Sequence, residues 1–560
     1  MKITHNKLGK KKSALLVSIV ISIIGFIPLL LITLNPEMNQ SYNIEHLLFE
    51  DEDGIYISAF KYTPKGEKSH GGVVVGHSLL GNKIHMQALC IELARNGFTV
   101  INLDFRGHGA STGYYLPSEL VNDMKAAVDY IESELPYITE IGLIGHSLGG
   151  NVAIDFIKAY PNRINATVTI GYVPYNAKSI PNLLITIGSF EPGFSEEILL
   201  RALRSNSGFE NVSIGVTYGD FASGNATKVF RGSFSEHLFS VKDPAIISQI
   251  IQWFKESFNE KESNNIFVIS PIYELFSYIF LFGLTSLNFV IIAYFGNYLF
   301  ARKTIFSEKE IVNEVTDISL KKLIEYYTFP IAIIQFIIFI FIWDGLSDII
   351  PLSTVNITFT LLASSVFGII FIYYFFLFMK QKNGDNMNFL FRIKKHLLSN
   401  INRSILYGIF SALLLILTIS TVWYWNVQFI LPTNVNFVVI IILIPITFPL
   451  FLIREFYFKK VREKLKYTNK IKEYLIMVGT GIFMNNFFLV IMEFFSWMNF
   501  VYIPLGGDYL LVWLLMSIIQ QIMVNWVYMY SGKNIIGSAI FLSIIYVWIC
   551  IIFLPSYGFL

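Results

Sequence analysis

The pattern of apolar and polar positions divides the chain into three parts. Residues 1–42 hold a lysine-rich start and an apolar run from Ser13 to Leu34. Such a run of roughly 20 residues is long enough to cross the hydrocarbon of a bilayer. Residues 43–265 alternate short apolar runs with amphipathic stretches, and residues 266–560 consist of long apolar runs separated by short polar loops. The pattern predicts an anchor helix, a globular domain and a helical membrane bundle.

The first apolar run favours an uncleaved anchor over a signal peptide. It is longer than a signal-peptide core, and it ends in Asn35-Pro36 where a cleaved leader would have small residues. Eight further membrane helices are expected in the last part of the chain. Their centres lie near residues 286, 335, 368, 414, 444, 485, 520 and 545.

The charges in the loops predict the orientation. The loops near 302–325, 380–403 and 454–472 contain five, six and eight Lys or Arg, and the intervening loops near 344–356, 426–436 and 497–507 contain none. Positively charged loops remain in the cytoplasm. The lysine-rich N-terminus is therefore expected to be cytoplasmic, and residues 43–265, which follow the first span, to lie outside.

The globular part alternates predicted strands with predicted helices. "GGVVVGHS", "FTVINLDF" and "ITEIGLIGHS" indicate strands, and "HMQALCIELARNG", "SELVNDMKAAVDYIESE" and "NVAIDFIKAY" indicate the helices that follow them. Strands separated by helices of this length favour a mostly parallel sheet with crossover helices. The expected fold class is therefore α/β.

The stretch Gly145-His146-Ser147-Leu148-Gly149 lies where a predicted strand meets a predicted helix. A serine at the tip of such a sharp turn needs close neighbours without side chains, which Gly145 and Gly149 provide. The serine hydroxyl is then exposed beside a helix N-terminus that favours developing negative charge. We therefore expect Ser147 to be a nucleophile.

These motifs, in this order, resemble the α/β-hydrolase superfamily of serine esterases and dienelactone hydrolases. "VVVGHSLLGNK" is similar to the oxyanion turn of that superfamily, with His77 matching and Ser78 in place of glycine, and "LDFRGHGAST" matches the loop after the next strand. The resemblance covers residues 43–262. It implies that the backbone N–H groups of Leu79 and Leu148 form the oxyanion hole.

The family's order of serine, acid and histidine nominates the other two catalytic residues. "KVFRGSFSEHLFSVKDPAIISQIIQWF" resembles the last strand, the histidine loop and the final helix, which implies that His237 is the base. "PNLLITIGSFEPG" resembles the strand and turn that carry the acid, which nominates Glu191. Asp220, after a strand-like alternation in "GVTYGDFASG", is the alternative acid.

Composition excludes several other classes of protein. The net charge is +2, and without a basic patch that contains aromatic residues no nucleic-acid partner is expected. The two cysteines, Cys90 and Cys550, are too far apart in the chain to form a disulfide framework or a cysteine metal site. No metal or organic cofactor is expected.

The sequence therefore predicts a multi-pass membrane protein whose external domain hydrolyses acyl esters through a Ser147 acyl-enzyme. The substrate is expected to be a small-molecule or lipid ester, and membrane lipids are the expected surroundings. Thioesterase and peptidase activities are alternatives within the enzyme class. A transporter or receptor whose hydrolase-like domain only binds a ligand is the alternative outside it.

Overall fold

The computed structural model describes most of the globular part and several of the apolar helices. The described residues are 2–34, 42–66, 69–79, 81–113, 115–175, 180–191, 193–260, 266–300, 400–426, 434–463, 471, 474–479, 481–483, 507–531 and 534–553. The membrane helices expected near residues 335, 368 and 485 fall outside these ranges.

Contacts divide the chain into two compact units. The described residues of 24–280 form most of one, and those of 281–424 and 430–551 form most of the other. The first unit contains an eight-stranded sheet with its helices, which we call the sheet domain (residues 42–258).

The sheet is mostly parallel, as the sequence predicts. Its strands in chain order are β1 (Tyr42–Glu50), β2 (Tyr56–Pro64), β3 (Gly71–Gly76), β4 (Thr99–Leu103), β5 (Glu140–His146), β6 (Ala166–Ile170), β7 (Leu183–Ile187) and β8 (Thr227–Arg231). Their spatial order is β1-β2-β4-β3-β5-β6-β7-β8. The β1–β2 and β2–β4 pairs are antiparallel, and every pair from β4 to β8 is parallel.

Five helices connect and cover these strands. They are α2 (Gln87–Arg95), α3 (Leu120–Glu134), α4 (Leu148–Ala159), α5 (Glu196–Ser207) and α6 (Pro244–Ser257), with short 3-10 helices at Pro117–Glu119 and Ser240–Lys242. The central strands are buried along their whole length, so both faces of the sheet must be covered.

Two hydrophobic cores cover the two faces of the sheet. One is built around α3 and α4, and includes Phe105, Met124 and Phe156. The other is built around α2 and α6, and includes Leu89 and Trp253. With both faces packed, the catalytic candidates are restricted to the loops at the edges of the sheet.

The helix boundaries follow local capping chemistry. Ser195 accepts a hydrogen bond from the N–H of Ile198 and begins α5, and Gly208 ends it in the left-handed conformation at φ 78°. Asp243 accepts from the N–H of Ala245 and begins α6, with Pro244 in the first turn.

Six apolar helices outside the sheet domain fall within the described residues. They are α1 (Lys2–Leu34), α7 (Ser270–Phe300), α8 (Ile401–Asn426), α9 (Asn434–Glu463), α10 (Gly507–Tyr530) and α11 (Ile535–Phe553). Within the described residues, three stretches are long and apolar enough to cross a membrane: Ser13–Ile32, Ser270–Phe300 and Ile401–Val422. Helices are present at the predicted centres near 286, 414, 444, 520 and 545.

Candidate active site

The turn between β5 and α4 has the geometry that its glycines predict. Ser147 has φ 51° and ψ −109°, a backbone conformation that side chains disfavour by about 1–3 kcal/mol. A Cβ on Gly145 would lie 2.1 Å from the carbonyl oxygen of Gly149, and a Cβ on Gly149 would lie 2.4 Å from that of Gly76. Only residues without side chains allow these three backbone segments to approach so closely.

Ser147 is fixed by the strand next to β5. Its N–H donates to the carbonyl oxygen of Ile170 at 2.8 Å, and its own carbonyl oxygen accepts from the N–H of Gly150 at 3.0 Å. The residue is partly exposed at the carboxyl edge of the sheet, directly before the first turn of α4. The local electrostatic field there favours negative charge on an adjacent oxygen.

The structure pairs the predicted base with Glu191. The Nδ1 of His237 lies 2.5 Å from Oε1 of Glu191, whose side chain is 1 % exposed. The other carboxylate oxygen accepts from the N–H of Gly188 at 3.2 Å. A carboxylate on Nδ1 fixes the tautomer of a neutral imidazole, because Nδ1 then carries the proton and Nε2 keeps its lone pair.

Gly171 connects this pair to the serine turn. It directly follows Ile170, the acceptor for the N–H of Ser147. A Cβ at Gly171 would lie 2.8 Å from Nδ1 of His237 and 3.1 Å from Oε1 of Glu191. The structure therefore brings His237 and Glu191 together beside Gly171, the residue that follows the acceptor of the Ser147 N–H.

Asp220 is not part of this group. It lies in an exposed turn, where its carboxylate accepts from the N–H of Ser223 at 2.8 Å. The turn precedes β8, at the opposite edge of the sheet from His237. The strand expected before Asp220 is also absent: this described segment forms turns and one isolated bridge, because Gly215 and Gly219 both have positive φ.

The two oxyanion candidates belong to different loops at the carboxyl edge of the sheet. Leu148 is the first residue of α4. Leu79 belongs to the turn after β3, where its carbonyl oxygen accepts from Nε2 of His108 at 2.6 Å.

Buried charges also hold the Leu79 turn. The carboxylate of Asp104 accepts from the N–H of Lys83 at 2.7 Å and forms an ion pair with its ammonium group. The N–H of Phe105 donates to Nε2 of His77 at 3.0 Å. The supporting roles of Lys83 and Asp104 were not predicted, because they depend on packing between loops.

Two buried histidines hold the loop of His237. The Nε2–H of His146 donates to the carbonyl oxygen of His237 at 2.9 Å, and that of His85 donates to the carbonyl oxygen of Leu238 at 2.9 Å. The ring of His146 lies 5.0 Å from the ring of His237 and 5.5 Å from that of His85. The sequence signal for His146 was its position beside Ser147, whereas His85 had none.

Burial keeps both supporting imidazoles neutral. It lowers the pKa of His85 to about 4, and the ammonium group of Lys242 adds to this effect. Burial also lowers the pKa of His146 well below its usual range, with the neighbouring His85 contributing. A neutral ring with its proton on Nε2 is the form that can donate to a carbonyl oxygen.

Family comparison agrees with this topology. Residues 67–188 match the family model described as "Serine aminopeptidase, S33". This range contains β3 to β7 and the serine turn. The sheet domain is an α/β-hydrolase domain.

Sequence relatives of the hydrolase domain include lipases. The chain is 27 % identical over 170 residues to a monoacylglycerol lipase of Mycolicibacterium smegmatis, covering 29 % of this chain and 60 % of that protein. It is 27 % identical over 144 residues to the α/β-hydrolase domain-containing protein WAV2 of Arabidopsis thaliana, covering 24 % and 47 %. It thus spans less than two thirds of these relatives.

Solved structures with a similar hydrolase domain include the esterase Pf2001 of Pyrococcus furiosus. That structure has a TM-score of 0.32 and 19 % identity, and the match covers 40 % of this chain and 95 % of the esterase chain.

No group of three or more His, Cys, Asp or Glu side chains that could hold a metal ion occurs within the described ranges.

The lowered pKa of His85 predicts acid sensitivity of the hydrolase domain. The His85 ring binds a proton below about pH 6.5 in the unfolded chain, but only below about pH 4 in the folded chain. The folded state therefore loses stability as the pH falls between these values. Replacing His85 by Gln keeps a donor for Leu238 and removes the titration. Between about pH 7 and about pH 5 the free energy of unfolding should fall by about 2 kcal/mol less in His85→Gln than in the unaltered protein, measured by urea titration in detergent. An equal fall in both proteins would contradict this assignment.

Proposed function

We propose that the chain is a membrane-bound serine hydrolase that cleaves carboxylic esters. The observation that carries the proposal is the 2.5 Å contact between Glu191 and His237, next to a serine held in a strained turn. A buried carboxylate on Nδ1 prepares the imidazole to accept a proton on Nε2. The lipases among the relatives support an ester as the substrate.

The proposed mechanism uses an acyl-enzyme. His237 takes the proton of Ser147 as the hydroxyl oxygen attacks the ester carbonyl, and then gives it to the leaving alcohol. The N–H groups of Leu79 and Leu148 stabilise the oxyanion. His237 then takes a proton from water, whose oxygen attacks the acyl-enzyme; the bond to Ser147 breaks, the proton passes to the serine oxygen, and the carboxylic acid is released. Glu191 orients the ring and stabilises its charged form, and the reaction needs no cofactor.

A fluorophosphonate probe tests this assignment, because it reacts with activated serines. Ser147→Ala should abolish labelling, and Glu191→Gln should slow it about 10²–10⁴-fold because the imidazolium loses its partner. Asp220→Asn is the matched control and should label at the rate of the unaltered protein. Equal labelling of Ser147→Ala, or loss of labelling in Asp220→Asn only, would contradict the assignment.

Peptides are the competing substrate class, because the matching family model is described as a serine aminopeptidase. Hydrolysis of p-nitrophenyl esters and of aminoacyl p-nitroanilides by the same preparation separates the two. We expect a higher kcat/KM for the esters.

We further propose the domain organisation that the hydropathy pattern predicts: an anchor in residues 1–42, an external hydrolase domain in 43–265 and a membrane bundle in 266–560. The apolar stretches at Ser13–Ile32, Ser270–Phe300 and Ile401–Val422 support membrane insertion. The alternating charge of the loops supports the orientation. In this arrangement the protein resides in the cell membrane with its N-terminus in the cytoplasm.

Cysteine accessibility tests the orientation. Glu197 is 81 % exposed on α5, and Lys12 belongs to the N-terminal basic segment. A membrane-impermeant maleimide should label Glu197→Cys on intact cells, and Lys12→Cys only after permeabilisation, because charged reagents do not cross bilayers. The reverse result would place the hydrolase domain in the cytoplasm.

A further inference from the structure

Exposed apolar side chains concentrate at the carboxyl edge of the hydrolase domain. Among the described residues of 42–258, seven large apolar side chains are at least half exposed. Five of the seven lie in loops that follow the carboxyl ends of parallel strands: Leu116, Tyr175, Phe190, Phe234 and Phe239. Apolar patches of this kind on a soluble surface mark contact with a partner or a membrane.

Three of these side chains lie within three positions of Glu191 or His237 in the chain, and we call them the aromatic edge: Phe190, Phe234 and Phe239. They are 63 %, 86 % and 54 % exposed. The rings of Phe190 and Phe234 lie 6.1 Å apart, and the N–H of Phe190 donates to the carbonyl oxygen of Ser235 at 2.9 Å. The loops of the acid and of the base therefore present one aromatic surface.

The same compact unit contains the first turns of the apolar helix α7. The buried carboxylate of Glu92 on α2 accepts from the N–H of Ile269 at 3.0 Å, from the N–H of Ser270 at 2.7 Å and from the hydroxyl of Ser270 at 2.5 Å. These contacts cap α7 with an acidic group, which its N-terminus favours. They fix where α7 begins on the hydrolase domain.

One turn later, α7 contacts the histidine loop. Glu274 pairs with Lys242 at 3.1 Å, and the N–H of Lys242 donates to the carbonyl oxygen of Phe239 at 2.9 Å. Helix α2 begins at the carboxyl edge of the sheet, and Glu92 lies more than one turn after that start. Lys242 lies at the carboxyl edge itself. Between Ser270 and Glu274, α7 therefore advances toward the edge that carries the catalytic residues.

A short connection joins the hydrolase domain to α1. Only seven residues separate Leu34, at the end of α1, from Tyr42, at the start of β1. Such a segment spans at most roughly 30 Å even when fully extended. The phenyl rings of Phe26 on α1 and Phe280 on α7 lie 5.3 Å apart, so the two helices run side by side.

From this geometry we propose that the aromatic edge lies in the surface of the phospholipid bilayer and receives a lipid ester directly from the adjoining leaflet. The start of α7 leads toward this edge, and exposed Phe side chains at a membrane surface bury at the boundary between headgroups and acyl chains. A lipid can then place its ester at Ser147 without crossing water. The bilayer contact rests on the insertion of α7, and the substrate class rests on the hydrolase activity proposed above.

Lipid quenching tests the contact without using catalysis. The full-length protein, with Cys550 replaced by Ser, receives a single cysteine at Phe234, Phe239 or Phe209, labelled with an environment-sensitive fluorophore. Cys90 is buried and its raised thiol pKa slows competing reaction. Phe209 is the matched control: it is 50 % exposed and packs on Tyr218, which pairs with the first residue of β8 at the opposite edge.

In nanodiscs of phosphatidylethanolamine and phosphatidylglycerol, spin-labelled lipid should quench the labels at Phe234 and Phe239 at least about threefold more than the label at Phe209. A label at Phe282, an exposed apolar residue within α7, gives the value expected for a position inside the bilayer. Equal quenching at the two edges would overturn the proposed contact.

A substrate comparison tests delivery of the lipid. In Phe234→Ser/Phe239→Ser, the ratio of kcat/KM for monooleoylglycerol in the nanodisc to that for soluble p-nitrophenyl butyrate should fall by about tenfold or more, and in Phe209→Ser it should not change. An unchanged ratio in the double variant would overturn lipid delivery. Quenching with no reaction at Ser147 would instead overturn the hydrolase assignment and leave the bilayer contact intact.

Discussion

The active site depends on the close approach of three backbone segments at Gly76, Gly145 and Gly149. A single added methyl group at Gly145 would lie within 2.1–2.3 Å of backbone atoms of residues 149 and 150. Because this contact has no side chain between its partners, the chain turns from β5 into α4 within one residue. Ser147 takes the resulting strain and is left at the carboxyl edge of the sheet, where the loops after β7 and β8 also end.

The remaining parts of the site are held by groups that do not react. His146 and His85 bind consecutive carbonyl oxygens of the histidine loop, and Glu191 is itself held by the N–H of Gly188. The contact at Gly188 is buried and the two histidine contacts are partly buried, and in such surroundings a hydrogen bond is stronger and an unpaired polar group is costly. The loop that carries His237 is therefore positioned before any substrate arrives, which lowers the reorganisation that the reaction requires.

The sequence predicted the parallel sheet and the serine turn because both depend on local patterns. Continuous apolar strands, helices of regular length and the glycines around Ser147 are visible in a few neighbouring residues. Glu191 was nominated by family resemblance, and the structure places it on His237 while Asp220 lies elsewhere. The expected strand before Asp220 does not form, because Gly215 and Gly219, both with positive φ, interrupt an alternation that otherwise fits a strand.

The supporting histidines could not be predicted in this way. His85 and Leu238 are 153 residues apart, so their contact exists only after α2 and the histidine loop have packed together. Glu92 and Ser270, at the start of α7, are 178 residues apart, so their contact also exists only in the folded chain. Burial of these polar groups is a property of the assembled core, and hydropathy along the chain does not report it.

The rate of fluorophosphonate reaction in Gly145→Ala tests most directly whether the close backbone contact makes Ser147 reactive. Gly66→Ala is the control, because a Cβ there meets no atom within 4 Å. Both variants are compared in the fraction whose hydrolase domain resists trypsin, so that unfolding does not enter the rate. We expect Gly145→Ala to react about 100-fold more slowly, equivalent to about 2.7 kcal/mol, and Gly66→Ala to match the unaltered protein. A folded Gly145→Ala protein that reacts at the unaltered rate would contradict the account.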